Sequence, residues 1–256
     1  MIHIKNEEEI AIMREGGRRL GAILARLAVA AVPGATTTEL NDLAEHLTRE
    51  GGDIPAFLDY TPDGAPRPYP AALCVSVNDE VVHGIPNENS KVLKEGDIVA
   101  LDMGLIHRGF VTDSAVTVAI GEADQKALDI IRVTEGSLMA GIAAVRDGAT
   151  VGNIGHAIQE YVRPHGYAIF TELGGHGVGR HVHEDPHIPN FGRKGQGVKL
   201  KAGMTIAIEP MLGEGSARIY LAKDGYTYKT KDGSRATHFE HTIVVTENGS
   251  EILTSR

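Results

Sequence analysis

One acidic pattern is written into this chain twice. Lys94-Glu95-Gly96-Asp97-Ile98-Val99-Ala100-Leu101-Asp102 is matched 107 positions later by Lys201-Ala202-Gly203-Met204-Thr205-Ile206-Ala207-Ile208-Glu209. Each copy runs a β-prone apolar stretch into a carboxylate. An acid at the end of a buried strand is costly unless its charge is compensated. Two such acids in matching places point to one shared compensator, and a metal centre is the leading candidate.

The rest of the chain follows the same duplication. Glu7 to about Ala31 has helical spacing, with Ile10, Met13, Leu20, Ile23, Leu24 and Leu27 on one face. Asn6 and Glu9 form a capping-box start. After the break at Gly34-Ala35-Thr36, a second helix carries Leu40, Leu43 and Leu47 and stops at Gly51-Gly52. The later half repeats this order. A helix from about Asp124 to Val145 carries Leu128, Ile131, Val133 and Leu138, the break is Gly148-Ala149-Thr150, and a further helix carries Ile154, Ala157, Ile158 and Tyr161. Asp113 and Glu240 each open an alternating apolar/polar run of half-buried strand type. Each half also holds a His-Gly-aliphatic triplet, His83-Gly84-Ile85 and His176-Gly177-Val178.

Two helices followed by antiparallel-looking strands, given twice, predict an α+β fold with an internal pseudo-two-fold. The expected organisation is a single domain over residues 1–256, with halves of about 1–121 and 122–256. The segment from Lys223 to Arg235, interleaved with Tyr226 and Tyr228, reads as a solvated hairpin or loop.

Composition narrows the function classes. A net charge of −9 weighs against general nucleic-acid or anionic-membrane binding. The single cysteine, Cys74, rules out an internal disulfide, and a reducing compartment fits best. The acidic N-terminus lacks the apolar core of a signal peptide, and no stretch has the apolar length of a membrane span. A cytoplasmic protein is the expectation.

The chemistry-bearing candidates are Asp102, Asp113, His176, Glu209 and Glu240. Four carboxylates packed together cannot all ionise without cations. Oxygen ligands with one imidazole suit Mn(II), Fe(II), Co(II) or Zn(II). Two ions about 3.5–4 Å apart can share a water, acidify it and polarise a carbonyl, which is chemistry for hydrolysing an amide. His176 sits in Gly174-Gly175-His176-Gly177-Val178-Gly179, where the glycines let the backbone approach a ligand. Of His181 and His183, only one faces the site if the segment is extended. The glycine run lacks the Lys-Ser/Thr of a phosphate-binding loop, and there is no Gly-x-Ser-x-Gly elbow.

With these residues in hand, the chain resembles the methionine aminopeptidases. The likeness lies in Val81-Val82-His83-Gly84-Ile85-Pro86, in Gly175-His176-Gly177-Val178-Gly179 with His183-Glu184-Asp185-Pro186, and in Ile208-Glu209-Pro210-Met211 with Phe239-Glu240-His241-Thr242. It covers nearly the whole chain, and its shorter form matches the type I members. The resemblance implies a pita-bread fold and two divalent metal ions, whether cobalt, manganese, iron or zinc. It implies that Asp102 chelates one ion, that His176 and Glu209 bind the other, and that Asp113 and Glu240 bridge both. His83 and His183 would hold the substrate amide, and Glu209 would also shuttle a proton. Tyr69, Cys74 and Tyr226 would line the methionine pocket, with Tyr226 standing where many relatives carry a tryptophan and Val182 where they often carry an aromatic residue.

The activity implied is removal of the initiator methionine from nascent polypeptides when the second residue is small. A monomer is implied, with Lys223, Lys229, Lys231 and Arg235 as a candidate patch for transient ribosome contact. A prolidase or aminopeptidase P is the nearest rival, although those proteins usually carry an additional N-terminal domain. The preference for a small second residue predicts that this chain, which begins Met1-Ile2, keeps its own Met1. Mass spectrometry of the mature protein checks this, and Ile2 at the N-terminus would contradict it.

Overall fold

The computed structural model describes residues 2–62 and 64–255. Met1, on which the retained-methionine expectation falls, lies outside the described residues. Four helices form as their caps and stripes predict: α1 (Glu7–Ala30), α2 (Thr37–Glu50), α3 (Gln125–Ala143) and α4 (Val151–Val162). At the start of α1 the Asn6 side chain accepts from the Glu9 amide at 3.0 Å, and the Glu9 carboxylate accepts from the Asn6 amide at 2.9 Å. Each bond satisfies a donor that a helix start would otherwise leave orphaned.

The helices cover a nine-stranded antiparallel sheet. At its centre Phe110–Ala119 pairs with Glu240–Thr246. Outward on one side lie Ile98–His107 and then Cys74–Val77, and on the other Thr205–Ile208 and then Gly174–Gly177. The order is therefore palindromic about the central pair, as a pseudo-two-fold requires. The turn bonds repeat as well. Gly34 N–H donates to Leu93 C=O in the first half, and Gly148 N–H to Leu200 C=O in the second. Leu93 N–H returns to Ala35, and Leu200 N–H to Ala149. The core divides the same way. One cluster includes Leu24, Leu40, Leu101 and Leu105 beneath α1 and α2, and the other includes Ile130, Ile154, Ile206 and Ile243 beneath α3 and α4.

Three expectations need correction. The buried stripe of α3 is Ile130, Val133, Thr134, Ser137, Leu138 and Ile142, while Leu128 is exposed. Thr134 and Ser137 enter the core because their hydroxyls donate to the carbonyls of Ile130 and Thr134 within the helix. The two His-Gly triplets are not equivalent in space. His176 lies in the main sheet, whereas His83 follows Glu80–Val82, a strand of a small separate sheet. The Lys223–Arg235 segment forms the expected hairpin, with Tyr228–Thr230 pairing with Ile219–Leu221, but it is only partly solvated. Its strand Tyr228–Thr230 is the middle strand of that small sheet, Tyr226, Thr227 and Thr230 are buried, Lys229 pairs with Asp79 at 3.0 Å, and Arg235 pairs with Asp124 and Glu214.

Gly17, in the middle of α1, lies against the chain just after the strand Gly249–Ile252, and a Cβ there would overlap the Leu253 carbonyl oxygen. Alanine favours a helix interior over glycine by about 1 kcal/mol. Overlap with a backbone carbonyl outweighs that gain. Gly17→Ala is expected to destabilise the protein by roughly 1–3 kcal/mol, an overpacking cost read from chemical denaturation. A more stable variant would contradict the packing described.

Candidate metal centre

The sheet register builds the site. Asp102 and Glu240 both lie opposite Ala115, one on each neighbouring strand. Asp113 is two residues from Ala115 and so shares its face. Three acids therefore surround one small residue on one face of the sheet. Glu209 joins them from the residue after Thr205–Ile208, next to the Ile208–His241 pair. Cys74 lies opposite Asp102 and extends the same row.

His176 completes the group from the neighbouring strand. Cβ atoms on Gly175 and Gly177 would strike the carbonyl oxygens of Ala207 and Asp185. The glycines are thus the condition for squeezing this strand between its two partners, and the histidine is held in a strand rather than in a flexible loop. Nδ1 of His176 faces the Gly177 carbonyl at 2.9 Å, which fixes the proton there and leaves the Nε2 lone pair facing the acids. Ligand atoms of Asp113, His176 and Glu240 all lie within 4.8 Å of one another. His176 Nε2 is 3.5 Å from Glu209 Oε1.

These groups are held in protonation states set by burial. Asp113 and Glu209 are each pushed up to about 8, in both cases chiefly by desolvation. Asp102 and Glu240 are pushed well above the carboxylate range, first by burial and then by the acids around them. Burial lowers His83 to about 4 and His176 to about 3, so both imidazoles are neutral at pH 7. Asp102 Oδ1, Asp113 Oδ1 and Glu240 Oε1 are buried and accept no hydrogen bond among the described residues. Such orphaned acceptors are rare in native proteins. Converging carboxylate oxygens with a neutral imidazole are the donor set a divalent cation takes, so these residues fit a metal.

The acids open onto a cleft of about 530 Å³. Tyr69, Cys74 and Tyr226 line it, as do His83 and His183. The rings of Tyr69 and Tyr226 meet edge to face with centroids 5.1 Å apart. Val182 is buried in the core cluster that also contains Tyr69, Cys74 and Tyr226. His183 stands at the rim, with Nδ1 2.9 Å from the Tyr60 hydroxyl and its ring 4.5 Å from that of His176. His181 does not line this cleft, so the site does select one of the pair.

Sequence reasoning missed Phe57, Tyr60 and Pro62, which also line the cleft. They sit on an irregular segment with no periodicity to reveal them. It also missed His238. That imidazole is 2% exposed, neither ring nitrogen has a hydrogen bond among the described residues, and Nε2 is 3.3 Å from Glu209 Oε2. His238 precedes Glu240 by two residues but ends Ala236–His238, a strand of a different sheet, so no strand periodicity in the sequence marked it.

The family model for metallopeptidase family M24 matches residues 11–247. The chain belongs to metallopeptidase family M24. It is 43% identical over 254 residues to a methionine aminopeptidase of Clostridium acetobutylicum, covering 99% of each chain. The crystal structure of methionine aminopeptidase from Thermotoga maritima superposes with a TM-score of 0.95 at 44% identity and full coverage of both chains. A prolidase from Pyrococcus horikoshii shares the fold at a TM-score of 0.74 and 21% identity, and the chain covers 63% of it. Pita-bread architecture is thus shared across both kinds of relative.

The raised carboxyls make metal uptake a proton-releasing event. At pH 7 Asp113 and Glu209, pushed up to about 8, hold protons that an incoming cation must displace. Titrating metal-free protein with Mn(II) at pH 7 in two buffers of different ionisation enthalpy should give heats that differ by the protons released. Identical heats would contradict the protonated state.

Proposed function

We propose that the chain is a dinuclear metalloaminopeptidase that removes the initiator methionine from nascent polypeptides whose second residue is small. The observation that carries the reading is the meeting of three buried acids, the partly buried Glu209 and His176 beside a cleft of aromatic and sulfur-bearing walls. The full-length likeness to methionine aminopeptidases, against a fold-only likeness to a prolidase, favours methionine over proline-directed substrates. The whole chain acts in this reading as one catalytic domain, a monomer working in the cytoplasm.

In this reading Asp102 would hold one divalent ion, His176 and Glu209 would hold the second, and Asp113 and Glu240 would serve both. Co(II), Mn(II), Fe(II) and Zn(II) all suit these ligands. When bound, the ions supply a water acidified to near neutral pH and Lewis-acid polarisation of the scissile carbonyl.

The protein side chains do the rest. Tyr69, Cys74 and Tyr226 take the thioether side chain, whose sulfur packs well against aromatic edges. His83 is neutral at pH 7, so it offers one ring N–H to the substrate amide without adding a further positive charge to the site. Its backbone sits at φ 59°, a left-handed conformation that a non-glycine residue adopts at a cost on the order of 1 kcal/mol. His183 meets the substrate from the rim, with its Nδ1 occupied by Tyr60. Glu209 carries a proton between the attacking water and the leaving amine. For ribosome contact the chain offers Lys223 and Lys231 as exposed charges, because Lys229 and Arg235 are committed to ion pairs.

Glu209→Ala, assayed on Met-Ala-Ser at saturating Mn(II), should lose at least ~100-fold in kcat, the lower range for a general acid–base group. Cleavage at the parent rate would sink the mechanism. His83→Ala should lower kcat while keeping both ions by elemental analysis, and loss of both ions would move His83 among the ligands.

A further inference from the structure

Lys5 precedes α1 and lies outside the metal centre and the cleft, yet its side chain is 1% exposed. A lysine so deeply buried needs a partner. Its Nζ lies 2.8 Å from Glu184 Oε2, and the Glu184 side chain is 3% exposed. The other oxygen of that carboxylate accepts the amides of Arg180 at 2.5 Å and His181 at 3.0 Å. One carboxylate thus closes the turn 180–184, and Lys5 holds the carboxylate from 179 positions away. Glu9 adds a second tie by pairing with Arg180 at 2.7 Å.

The lysine is itself anchored. Its backbone N–H donates to Gly203 C=O at 2.8 Å, and Ile4 bridges Met204. Gly203 lies just before the strand Thr205–Ile208, which delivers Glu209. On the other side, Gly179 has φ 148°, and a Cβ there would overlap Lys5 Cε. Lys5 is therefore lodged between the base of the strand that delivers Glu209 and the turn that carries His183.

We propose that Lys5 is a positioning residue for His183. By fixing Glu184 it holds the irregular turn 180–184, so that His183 stands against Tyr60 and His176 and is in register to meet the substrate. This rests on the role given to His183 above. The turn has no regular strand or helix pairing before Glu184, so the clamp supplies the order that the backbone does not. A displacement of about 1 Å at a positioned group can cost as much as ~100-fold in rate.

The test uses full-length enzyme loaded with Mn(II). Lys5→Met keeps the length and apolar stem and removes the charge. It should lower kcat on Met-Ala-Ser at least ~10-fold, with both ions retained and amide exchange at Arg180 and His181 accelerated. Lys5→Arg should restore most of the loss. Glu184→Gln should resemble Lys5→Met, and the double variant should be no worse than either single one. A Lys5→Met enzyme with the parent kcat, or with a lowered melting temperature but unchanged turn exchange, would overturn the clamp. His183→Ala, measured alongside, separates the two ideas. Parent activity in that variant removes the role of His183 whatever Lys5 does, whereas a slow His183→Ala with a fast Lys5→Met removes the clamp alone.

Discussion

Mutual repulsion among buried carboxylates is the constraint around which this molecule is organised. Asp102, Asp113 and Glu240 lie on one face of a continuous sheet with Ala115 between them, and Glu209 closes the group from the next strand. Among the described residues, no lysine or arginine lines the cleft they face. The protein alone manages the charge by keeping protons on the acids, as the raised affinities of Asp113 and Glu209 express. Divalent ions offer the other solution, and they convert a cost of burial into a reactive centre.

The duplicated architecture explains how the acids come to meet. Each half supplies an antiparallel strand pair backed by two helices, and the halves join along Phe110–Ala119 and Glu240–Thr246. The join places the two acids of each half on that half's own side of the axis. Asp113 and Glu240 lie on the adjoining central strands, while Asp102 and Glu209 lie on the next strands out. The symmetry stops at the histidines. His176 is built into the main sheet, whereas His83 is delivered by the small sheet and His183 by a turn. Groups assigned to the ions sit mainly on the rigid duplicated frame, and groups assigned to the substrate sit on added pieces. That division suits a site whose metal geometry must stay fixed while its substrate contacts admit a peptide.

Much of this was legible in the residues. The helix starts were readable because Asn6-x-x-Glu9 and the Gly-Ala-Thr turns have local chemistry that determines local structure. The acids were readable because duplication distinguishes a shared task from surface chance. Other features depended on tertiary packing that no short pattern records. The α3 stripe shifted because Thr134 and Ser137 satisfy their hydroxyls within the helix and pass as core. The basic segment looked solvated because its acidic partners, Asp79, Glu80, Asp124 and Glu214, are distant in sequence. Phe57 and Tyr60 reach the cleft from an irregular segment, and the tie from Lys5 to Glu184 spans most of the chain.

The central claim is that side chains from both halves jointly cage a pair of cations. Anomalous X-ray scattering at the manganese edge, from crystals grown with Mn(II), addresses it directly. The account predicts two peaks, one contacting Asp102 and the other contacting His176 and Glu209, with Asp113 and Glu240 reaching both. Absence of scattering at this cluster, or ions bound elsewhere with the acids still protonated, would contradict it.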